Sequence, residues 1–306
     1  MRRKKWYKVI VLTIVLFCIV ELALRLVFGF CDALLYEDNG KYEYIAQPNQ
    51  RRYRFFSHVV INSYGMRCEE PDTTKRIVLG LGDSMLFGPA QIDQKALATT
   101  LFSNETGIQM LNISCGSWGP DNCAAFIKEH GAFGTERMIL VCSSHDAYDR
   151  MSFQPVTGLP GYPKEQYRLA LWELLDRYVI PYLHRLFRQP VYLDPDAEVI
   201  ARRQFASVVK KSNVFNEGFA QLKTISDSLH IPLMIYLHAE TGEIKEGAYN
   251  DLGNEIIEWA DSAGVPLVNG MKEGESEDMY IDIIHFNEKG HRHLTSVLEK
   301  ILKVRP

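Results

Sequence analysis

Five short apolar runs, separated by stretches of helical periodicity, constrain the fold of this chain more than any other feature. The runs are predicted to be buried strands: Arg76–Gly82, Gln109–Ile113, Arg137–Cys142, Pro232–His238 and Val265–Val268. Strands that alternate with helices pair in parallel, because each crossover helix returns the chain to the same end of the sheet. The pattern therefore predicts an α/β fold with a central parallel five-stranded sheet that helices cover on both faces.

The stretches between the runs have the apolar spacing of amphipathic helices. The predicted helices are part of Ser84–Thr100, then Asn122–His130, Phe205–Leu229, Asn250–Ala263 and Leu294–Val304. Residues 150–204 break this rhythm, because they are rich in Pro, Tyr, Leu and Arg around one amphipathic stretch, Tyr167–Phe187. We interpret 150–204 as an insertion at one edge of the sheet, which is either a lid or wall of a binding site or structural decoration.

The N-terminal segment is long and apolar. Trp6 to Phe30 covers 25 residues, interrupted by Lys8, Glu21 and Arg25. As a helix it would span roughly 37 Å at ~1.5 Å per residue, enough for a hydrocarbon core of ~30 Å. Glu21 and Arg25 are one turn apart and can pair on one face of the helix, which lowers the cost of placing them in lipid. This segment is therefore predicted to be a transmembrane helix.

Charge around the span predicts its orientation. Residues 1–30 hold six basic groups and one acid, and the basic cluster precedes the span, so the amino end should stay cytoplasmic and the rest should be exported. A cleavable signal peptide is the alternative, but Gly29-Phe30 before Cys31 is a poor cleavage context. The remaining residues hold 28 basic and 37 acidic groups, which disfavours a nucleic-acid-binding protein.

Three segments follow from these patterns. Residues 1–30 are a cytoplasmic leader and membrane anchor, 31–74 a polar and aromatic connecting segment, and 75–306 the α/β domain with its insertion at 150–204. Within the connecting segment, Asn62–Arg67 is predicted to be a turn.

A serine follows the first predicted strand directly, in Gly80-Leu-Gly-Asp-Ser84. That position puts its hydroxyl at the carboxyl edge of a parallel sheet, where such folds bind ligands. A cap for the following helix is an equally simple role for Ser84. The distant sequence Asp282-Ile-Ile-His285 supplies what a serine nucleophile needs, because an imidazole can take its proton and a carboxylate can orient the imidazole.

Together these blocks resemble the SGNH/GDSL hydrolase superfamily. Gly82-Asp83-Ser84 near the start of the domain and Asp282-x-x-His285 near its end match the family in order and context, over residues 75–304. The resemblance implies a flavodoxin-like three-layer sandwich and acyl-ester chemistry through a covalent serine intermediate. Carried over by position, it implies Ser84 as nucleophile, His285 as general base and Asp282 as its orienting partner.

The blocks that would form the family's oxyanion hole are less regular. Besides the backbone N–H of Ser84, the resemblance implies an N–H donor at Ser117, with Gly116 or Gly119 as alternatives in a shifted loop. Where the family usually has an asparagine, the chain has His145, whose imidazole can also donate. This substitution leaves open a working hole, a changed acceptor preference or lost activity.

Other histidines are assigned structural places. His238, at the end of the fourth predicted strand, is expected to be a core or supporting residue, and His291 and His293 are expected to be solvated on the last helix. Asp83 and Asp146 are expected to make local hydrogen bonds. No cofactor or metal is predicted, because the sequence contains neither a P-loop nor an HExxH motif and Gly80-Leu-Gly82 lacks the third glycine of a dinucleotide loop.

The sequence thus predicts a membrane-anchored serine esterase or deacylase that acts on acyl esters, chiefly acetyl esters, of envelope or exported carbohydrate. A polysaccharide O-acetyltransferase with the same three residues and a non-catalytic assembly or binding subunit remain alternatives. The expected partners are the acylated carbohydrate, the membrane and membrane proteins of polysaccharide assembly, but no nucleic acid. The expected location is a single-pass position in the cell membrane with the domain outside the cytoplasm.

Overall fold

The computed structural model describes residues 2–187 and 212–303. Its central sheet has five parallel strands in the spatial order β6-β5-β7-β8-β9. They are β5 (Ile77–Gly82), β6 (Gln109–Ser114), β7 (Arg137–Ser143), β8 (Leu233–His238) and β9 (Leu267–Asn269). This is the flavodoxin-like order, and the fold predicted from the sequence is confirmed.

Alternate residues of each strand point to opposite faces of the sheet, so each strand contributes to two apolar layers. On one face, Leu79 and Leu81 belong to a core cluster that also contains residues of the helices after β6 and β8. On the other face, Val78 belongs to a second cluster with residues of the C-terminal helix. Both faces are covered, which explains why β5 is buried along its whole length.

The main helices have these bounds: Arg2–Phe28, Ser84–Phe87, Ala98–Thr106, Pro120–His130, Ala170–Leu174, Ile180–Phe187, Gly218–Leu229, Thr241–Glu246, Asp251–Ser262 and Glu288–Leu302. A π-helical turn at Leu175–Val179 joins the fifth helix to the sixth. The predicted helix Phe205–Leu229 begins too early: 205–211 lies outside the described residues, and the helix starts only at Gly218. Asn216 explains this start, because its side chain accepts from the Gly218 N–H before the first turn.

Residues 31–74 contain two antiparallel hairpins that the sequence analysis did not predict. β1 (Tyr36–Asn39) pairs with β2 (Glu43–Ala46), and β3 (Gln50–Arg54) pairs with β4 (Ser57–Ile61). The predicted turn follows β4, where Asn62 exchanges backbone hydrogen bonds with Met66 and Gly65. Buried aromatic residues of the first hairpin join the larger core cluster, so this segment packs on the α/β domain.

The N-terminal helix contains one stretch, Trp6–Phe28, that is long and apolar enough to cross a membrane. The Arg25 Nε donates to Glu21 Oε1 at 2.8 Å, which is the pair expected from their spacing. Glu21 also accepts from the backbone N–H groups of Ala170 and Leu171, and Arg25 donates to the Arg168 carbonyl at 2.6 Å. The charged pair therefore joins the N-terminal helix to the insertion.

We expect Gly82→Ala to lower the free energy of unfolding by about 1–3 kcal/mol, a typical cost of overpacking. A Cβ at Gly82 would lie 2.7 Å from the Val141 carbonyl oxygen, and that backbone belongs to the neighbouring strand. Thermal unfolding of the full chain in detergent measures the effect. Gly40→Ala is the matched control, because no atom lies within 4 Å of a Cβ built there. Equal unfolding midpoints for the two variants would contradict the prediction.

Candidate active site

The residues singled out from the sequence lie at the carboxyl edge of the sheet, near the point where the strand order reverses. Ser84 follows β5, the 3₁₀ turn Ser144–Ala147 that contains His145 follows β7, and His238 ends β8. In open α/β sheets this edge forms the ligand crevice. Ser84 is the first residue of a short helix, and its neighbour Asp83 caps that helix by accepting from the Met85 N–H at 2.9 Å. Because Asp83 provides the cap, the Ser84 hydroxyl is not needed for it.

Ser84, His285 and Asp282 form a continuous hydrogen-bonded chain. The Ser84 Oγ lies 2.9 Å from His285 Nε2, and His285 Nδ1 lies 2.7 Å from Asp282 Oδ2. With the proton on Nδ1 donated to the carboxylate, Nε2 is left as an acceptor for the serine hydroxyl. Two residues separated by 201 positions in the chain thus meet at hydrogen-bond distance in the relation that activates a serine.

Asp282 is held as a charged carboxylate. Partial burial favours the neutral acid, but the backbone N–H groups of His285 and Ile284 donate to Oδ1 at 2.8 and 2.9 Å. These donors and the His285 side chain outweigh burial and hold the pKa of Asp282 below its ordinary value. Asp282 therefore organises its own loop and orients the imidazole at the same time.

A second histidine supports this loop from inside the protein. His238 is fully buried, as a core histidine was expected to be. Its Nδ1 lies 3.0 Å from Glu275 Oε1 and its Nε2 lies 2.6 Å from the Ile284 carbonyl oxygen, so both ring nitrogens face acceptors. Burial opposes the charged imidazole, but Glu275 and the Ile284 carbonyl outweigh it and raise the pKa of His238. The pair fixes the residue immediately before His285.

Three residues were candidates for a backbone N–H in the oxyanion hole, and the structure separates them. The Gly119 N–H already donates to Asn122 Oδ1 at 2.9 Å, which commits it to the next helix. Gly116 lines the same cavity as Ser84. Ser117 has a positive φ of 55°, and its hydroxyl accepts from the Tyr162 hydroxyl at 3.1 Å. Gly116 and Ser117 thus remain the candidate donors of this loop.

His145 lies between carboxylates. Its Nδ1 is 3.1 Å from Glu240 Oε1 and its Nε2 is 3.6 Å from Asp83 Oδ2. Burial favours the neutral ring, but the charges of Asp146, Asp83 and Glu240 outweigh it and raise the pKa of His145 well above its usual value. The ring is therefore an imidazolium near neutral pH, and it places a positive charge beside the residue that precedes Ser84.

Asp146 is a further carboxylate close to His145 and Asp83. It accepts from the Ser143 N–H at 2.8 Å, which is the local hydrogen bond expected of it. Burial and the nearby charge of Asp83 raise the pKa of Asp146, whereas the positive charge of His145 opposes this rise and favours the carboxylate. Asp83, His145 and Asp146 each offer one atom within 4.8 Å of the others, which is close enough to hold a metal ion. We interpret the group as an ion-pair cluster, because the His145 ring lies within ion-pair distance of both Asp83 and Glu240.

The expectation that His291 is solvated is wrong. His291 is fully buried under the Ser84 helix, where the Ala98 N–H donates to its Nδ1 at 3.4 Å. The C-terminal helix turns this position towards the second core cluster, and burial lowers the pKa of His291 to about 3. His293, on the same helix, is partly exposed. Its Nε2 is buried without a hydrogen-bond partner among the described residues, so the ring of His293 is only partly solvated.

A cavity of about 300 Å³ opens beside Ser84. Gly116, Tyr162 and Arg177 are among its lining residues, and the last two come from the predicted insertion. The hairpin segment 31–74 also contributes, through Arg54 and Arg67 among others. The insertion and the hairpins therefore share in the walls around the serine.

Sequence reasoning missed the carboxylates that face the histidines and the walls of the cavity. Glu240 had a usable signal, since it lies two residues beyond the end of β8 and therefore at the carboxyl edge of the sheet. Glu275 and Tyr162 had none, because they approach from loops whose course depends on tertiary packing.

No protein-family model matches the sequence, and no curated protein is similar to it. Among solved structures, the chain is similar to a putative lipolytic protein of the G-D-S-L family from Desulfitobacterium hafniense DCB-2 (12% identity, 74% of this chain and 99% of that chain, TM-score 0.42). It is also similar to a lipase/acylhydrolase from Enterococcus faecalis (12% identity, 74% and 95%, TM-score 0.42). A third is a carbohydrate acetylesterase from Sinorhizobium meliloti (11% identity, 76% and 100%, TM-score 0.41). At such identities and TM-scores these likenesses carry no argument about function.

We expect His145 to titrate above the ordinary histidine value of ~6.5, so that it is charged at neutral pH. Nitrogen-15 NMR of the histidine rings in the full chain measures this directly. Glu240→Gln should lower the pKa of His145, because it removes one of the carboxylates that stabilise the cation. His291 is the internal contrast and should remain neutral over the same range. A His145 ring that titrates at or below the ordinary histidine value would overturn this interpretation.

Proposed function

We propose that this protein is a serine esterase of the SGNH/GDSL type, in which Ser84 forms a covalent acyl-enzyme. The observation that carries the proposal is the chain of hydrogen bonds from Ser84 Oγ to His285 Nε2 at 2.9 Å and from His285 Nδ1 to Asp282 at 2.7 Å. A cavity beside Ser84 gives an ester access to the hydroxyl. Nucleophile, base and orienting carboxylate thus meet beside space for a substrate.

In the first half of the reaction, Ser84 Oγ attacks the ester carbonyl carbon while its proton moves to His285 Nε2. The carbonyl oxygen becomes an oxyanion, and the imidazolium of His285 is stabilised by Asp282. Collapse of this intermediate breaks the bond to the leaving alkoxide, which takes the proton from Nε2 and departs as an alcohol. Ser84 then carries the acyl group as an ester.

In the second half, a water molecule replaces the alcohol. His285 takes one proton from the water as its oxygen attacks the acyl carbon, and then returns that proton to Ser84 Oγ as the acyl bond breaks. The products are a carboxylic acid and the free enzyme.

The oxyanion needs donors that are in place before the reaction. We propose the backbone N–H groups of Ser84 and of Gly116 or Ser117 for this role, assisted by the charge of His145. The charged ring of His145 is held between Glu240 and Asp83, so its position is fixed independently of substrate. Because both ring nitrogens of His145 face carboxylates, His145 would act on the oxyanion through its positive charge and not through a direct hydrogen bond.

The proposed substrate is an acyl ester, chiefly acetyl, of an envelope or exported carbohydrate. The basic cluster before the apolar helix Trp6–Phe28 supports a single-pass anchor with its amino end in the cytoplasm and the domain outside. Such a tether would keep the enzyme where these polymers are assembled, and membrane proteins of polysaccharide assembly are the proposed partners.

We expect Ser84→Ala to lower the turnover of 4-nitrophenyl acetate by at least ~10³, because the nucleophile is removed. His285→Gln should lower it to a similar extent, since both residues act as one unit. The measurement is initial-rate kinetics on the full chain in detergent, with the thermal unfolding midpoint recorded for each variant. Ser228→Ala is the matched control, because this serine lies exposed on a helix and bonds only to the nearby Ile225 carbonyl. Unchanged turnover in folded Ser84→Ala would defeat the proposal.

A further inference from the structure

The cavity beside Ser84 is lined by cationic side chains. Three arginines, Arg54, Arg67 and Arg177, line it, and no acidic side chain is among its lining residues in the part of the chain that the structure describes. Arg54 and Arg67 are buried, and the Arg177 side chain is largely so. Buried guanidinium groups normally face carboxylates, because an unpaired charge is costly away from water. Three such groups would require as many negatively charged partners.

One carboxylate serves two of the arginines. Glu173 is fully buried, and its Oε1 lies 2.7 Å from an Arg54 nitrogen and 3.4 Å from an Arg177 nitrogen. Arg54 also donates to the Tyr178 hydroxyl at 3.0 Å, and Arg177 donates to the Pro160 carbonyl at 2.5 Å. The Arg177 Nε is buried without a hydrogen-bond partner. These contacts leave one positive charge in excess at this end of the cavity.

Arg67 adds a second positive charge that no carboxylate matches within ion-pair distance among the described residues. It is fully buried and donates to the carbonyls of Phe87, Gly88 and Ile92 at 2.6 to 2.9 Å, within the turn that follows the Ser84 helix. No carboxylate among the described residues lies within ion-pair distance of Arg67, although Asp93 acts on it from further away. Burial lowers the pKa of Arg67 to about 10, which still leaves it charged at neutral pH.

We propose that the natural substrate is an ester of an acidic carbohydrate, whose carboxylate binds among these arginines while its ester reaches Ser84. This inference rests on the proposed esterase function and specifies its substrate class. An anion in the cavity would supply the negative charge that three arginines and one glutamate leave unmatched. The carboxylate would be attracted chiefly by the net positive charge, because Arg54 and Arg67 already donate to protein groups. A neutral or cationic ester would leave the excess charge uncompensated.

A matched pair of small esters tests the inference: 3-acetoxybenzoate, which carries a carboxylate, and its uncharged methyl ester. We expect the anionic ester to have a kcat/KM at least about tenfold higher, chiefly through a lower KM, which corresponds to ~1.4 kcal/mol. Arg177→Gln should remove most of this preference, measured as the ratio of the two kcat/KM values, whereas Arg177→Lys should keep part of it. Equal kcat/KM values for both esters, or an unchanged preference in Arg177→Gln, would overturn the inference.

The outcome separates this inference from the proposed function. If both esters are hydrolysed equally, the esterase stands and the substrate class is wrong. If neither is hydrolysed, calorimetric binding of the two esters to the Ser84→Ala chain gives the same comparison without turnover. Tighter binding of the anionic ester would then support the cationic site even though the proposed reaction had failed, and equal binding would refute it.

A second observation concerns the outer surface of the insertion. The helical stretch from Ala170 to Phe187 buries Ala170 and Glu173 against the protein. Large apolar residues on and beside this stretch are exposed, and we call them the insertion face: Leu169, Trp172, Leu175, Ile180, Tyr182 and Leu183. Single exposed apolar residues are ordinary, but several of them on one short segment are typical of a surface that binds another molecule or a membrane.

The position of the N-terminal helix indicates what the insertion face contacts. Glu21 and Arg25 bond to the backbone of Arg168, Ala170 and Leu171. Glu21 is seven residues before the end of the apolar stretch at Phe28, which places this contact roughly 10 Å inside that end at ~1.5 Å per residue. If the apolar stretch spans a bilayer, the start of the insertion face therefore lies within the outer leaflet. The aliphatic residues of that face suit the hydrocarbon, and its Trp and Tyr side chains suit the boundary with the lipid headgroups.

We propose that the insertion face lies in the outer leaflet of the lipid bilayer beside the anchor. This holds the mouth of the cavity at a fixed height above the membrane, because Arg177 lines the cavity from the same helical stretch. The proposal rests on the anchor being in a membrane and is independent of the enzymatic activity. The insertion would then be a second segment in contact with lipid, besides the N-terminal helix.

Fluorescence quenching by lipid tests this contact in the full chain, reconstituted in phosphatidylcholine vesicles with brominated acyl chains. Trp6→Phe removes the tryptophan of the anchor, and we expect the remaining fluorescence to be strongly quenched by the brominated lipid. The quenching should disappear in Trp6→Phe/Trp172→Phe, because Trp118 is fully buried in the domain and Trp259 belongs to its core packing. Equal quenching in the two variants would show that Trp172 does not contact lipid and would overturn the proposal.

Discussion

The site depends on one contact that the chain cannot make locally, the hydrogen bond between Ser84 and His285. Parallel strands bring all their carboxyl ends to one edge, so a residue after the first strand and a loop before the last helix arrive at the same place. The sheet brings the two segments near each other but does not fix the distance between their side chains. The final fit of 2.9 Å between the hydroxyl and the imidazole depends on how rigidly the loop that carries His285 is held.

The loop that carries His285 is held by hydrogen bonds to charged side chains on both of its sides. On its outer side Asp282 accepts two backbone N–H groups of its own loop, and on its inner side His238 and Glu275 bind the carbonyl of Ile284. A buried ion pair contributes little net stability, but breaking it leaves an uncompensated charge. The same reasoning applies to His145 between its carboxylates. The charges around this edge therefore specify the positions of the reacting groups more than they stabilise the domain.

The sequence was sufficient for the sheet and for the three residues that meet at its edge. Continuous apolar runs indicated strands buried on both faces, and the order of the serine, aspartate and histidine indicated their meeting point. It was insufficient where tertiary packing overrides local pattern. The hairpins of 31–74 are short and partly polar, so their periodicity is weak. His291 looked like a polar residue on a helix surface, yet packing of that helix turns it inwards. The partners of the histidines, such as Glu275, come from irregular loops without periodic signals.

The reactivity of Ser84 is the property from which the chemistry follows, and covalent labelling measures it most directly. The full chain is treated with a fluorophosphonate, and the modified residue is located by peptide mass spectrometry. An activated Ser84 predicts one phosphonyl group per chain, attached to Ser84 and absent from Ser84→Ala. Label on another residue, or an unlabelled but folded protein, would contradict the role given to Ser84 and His285.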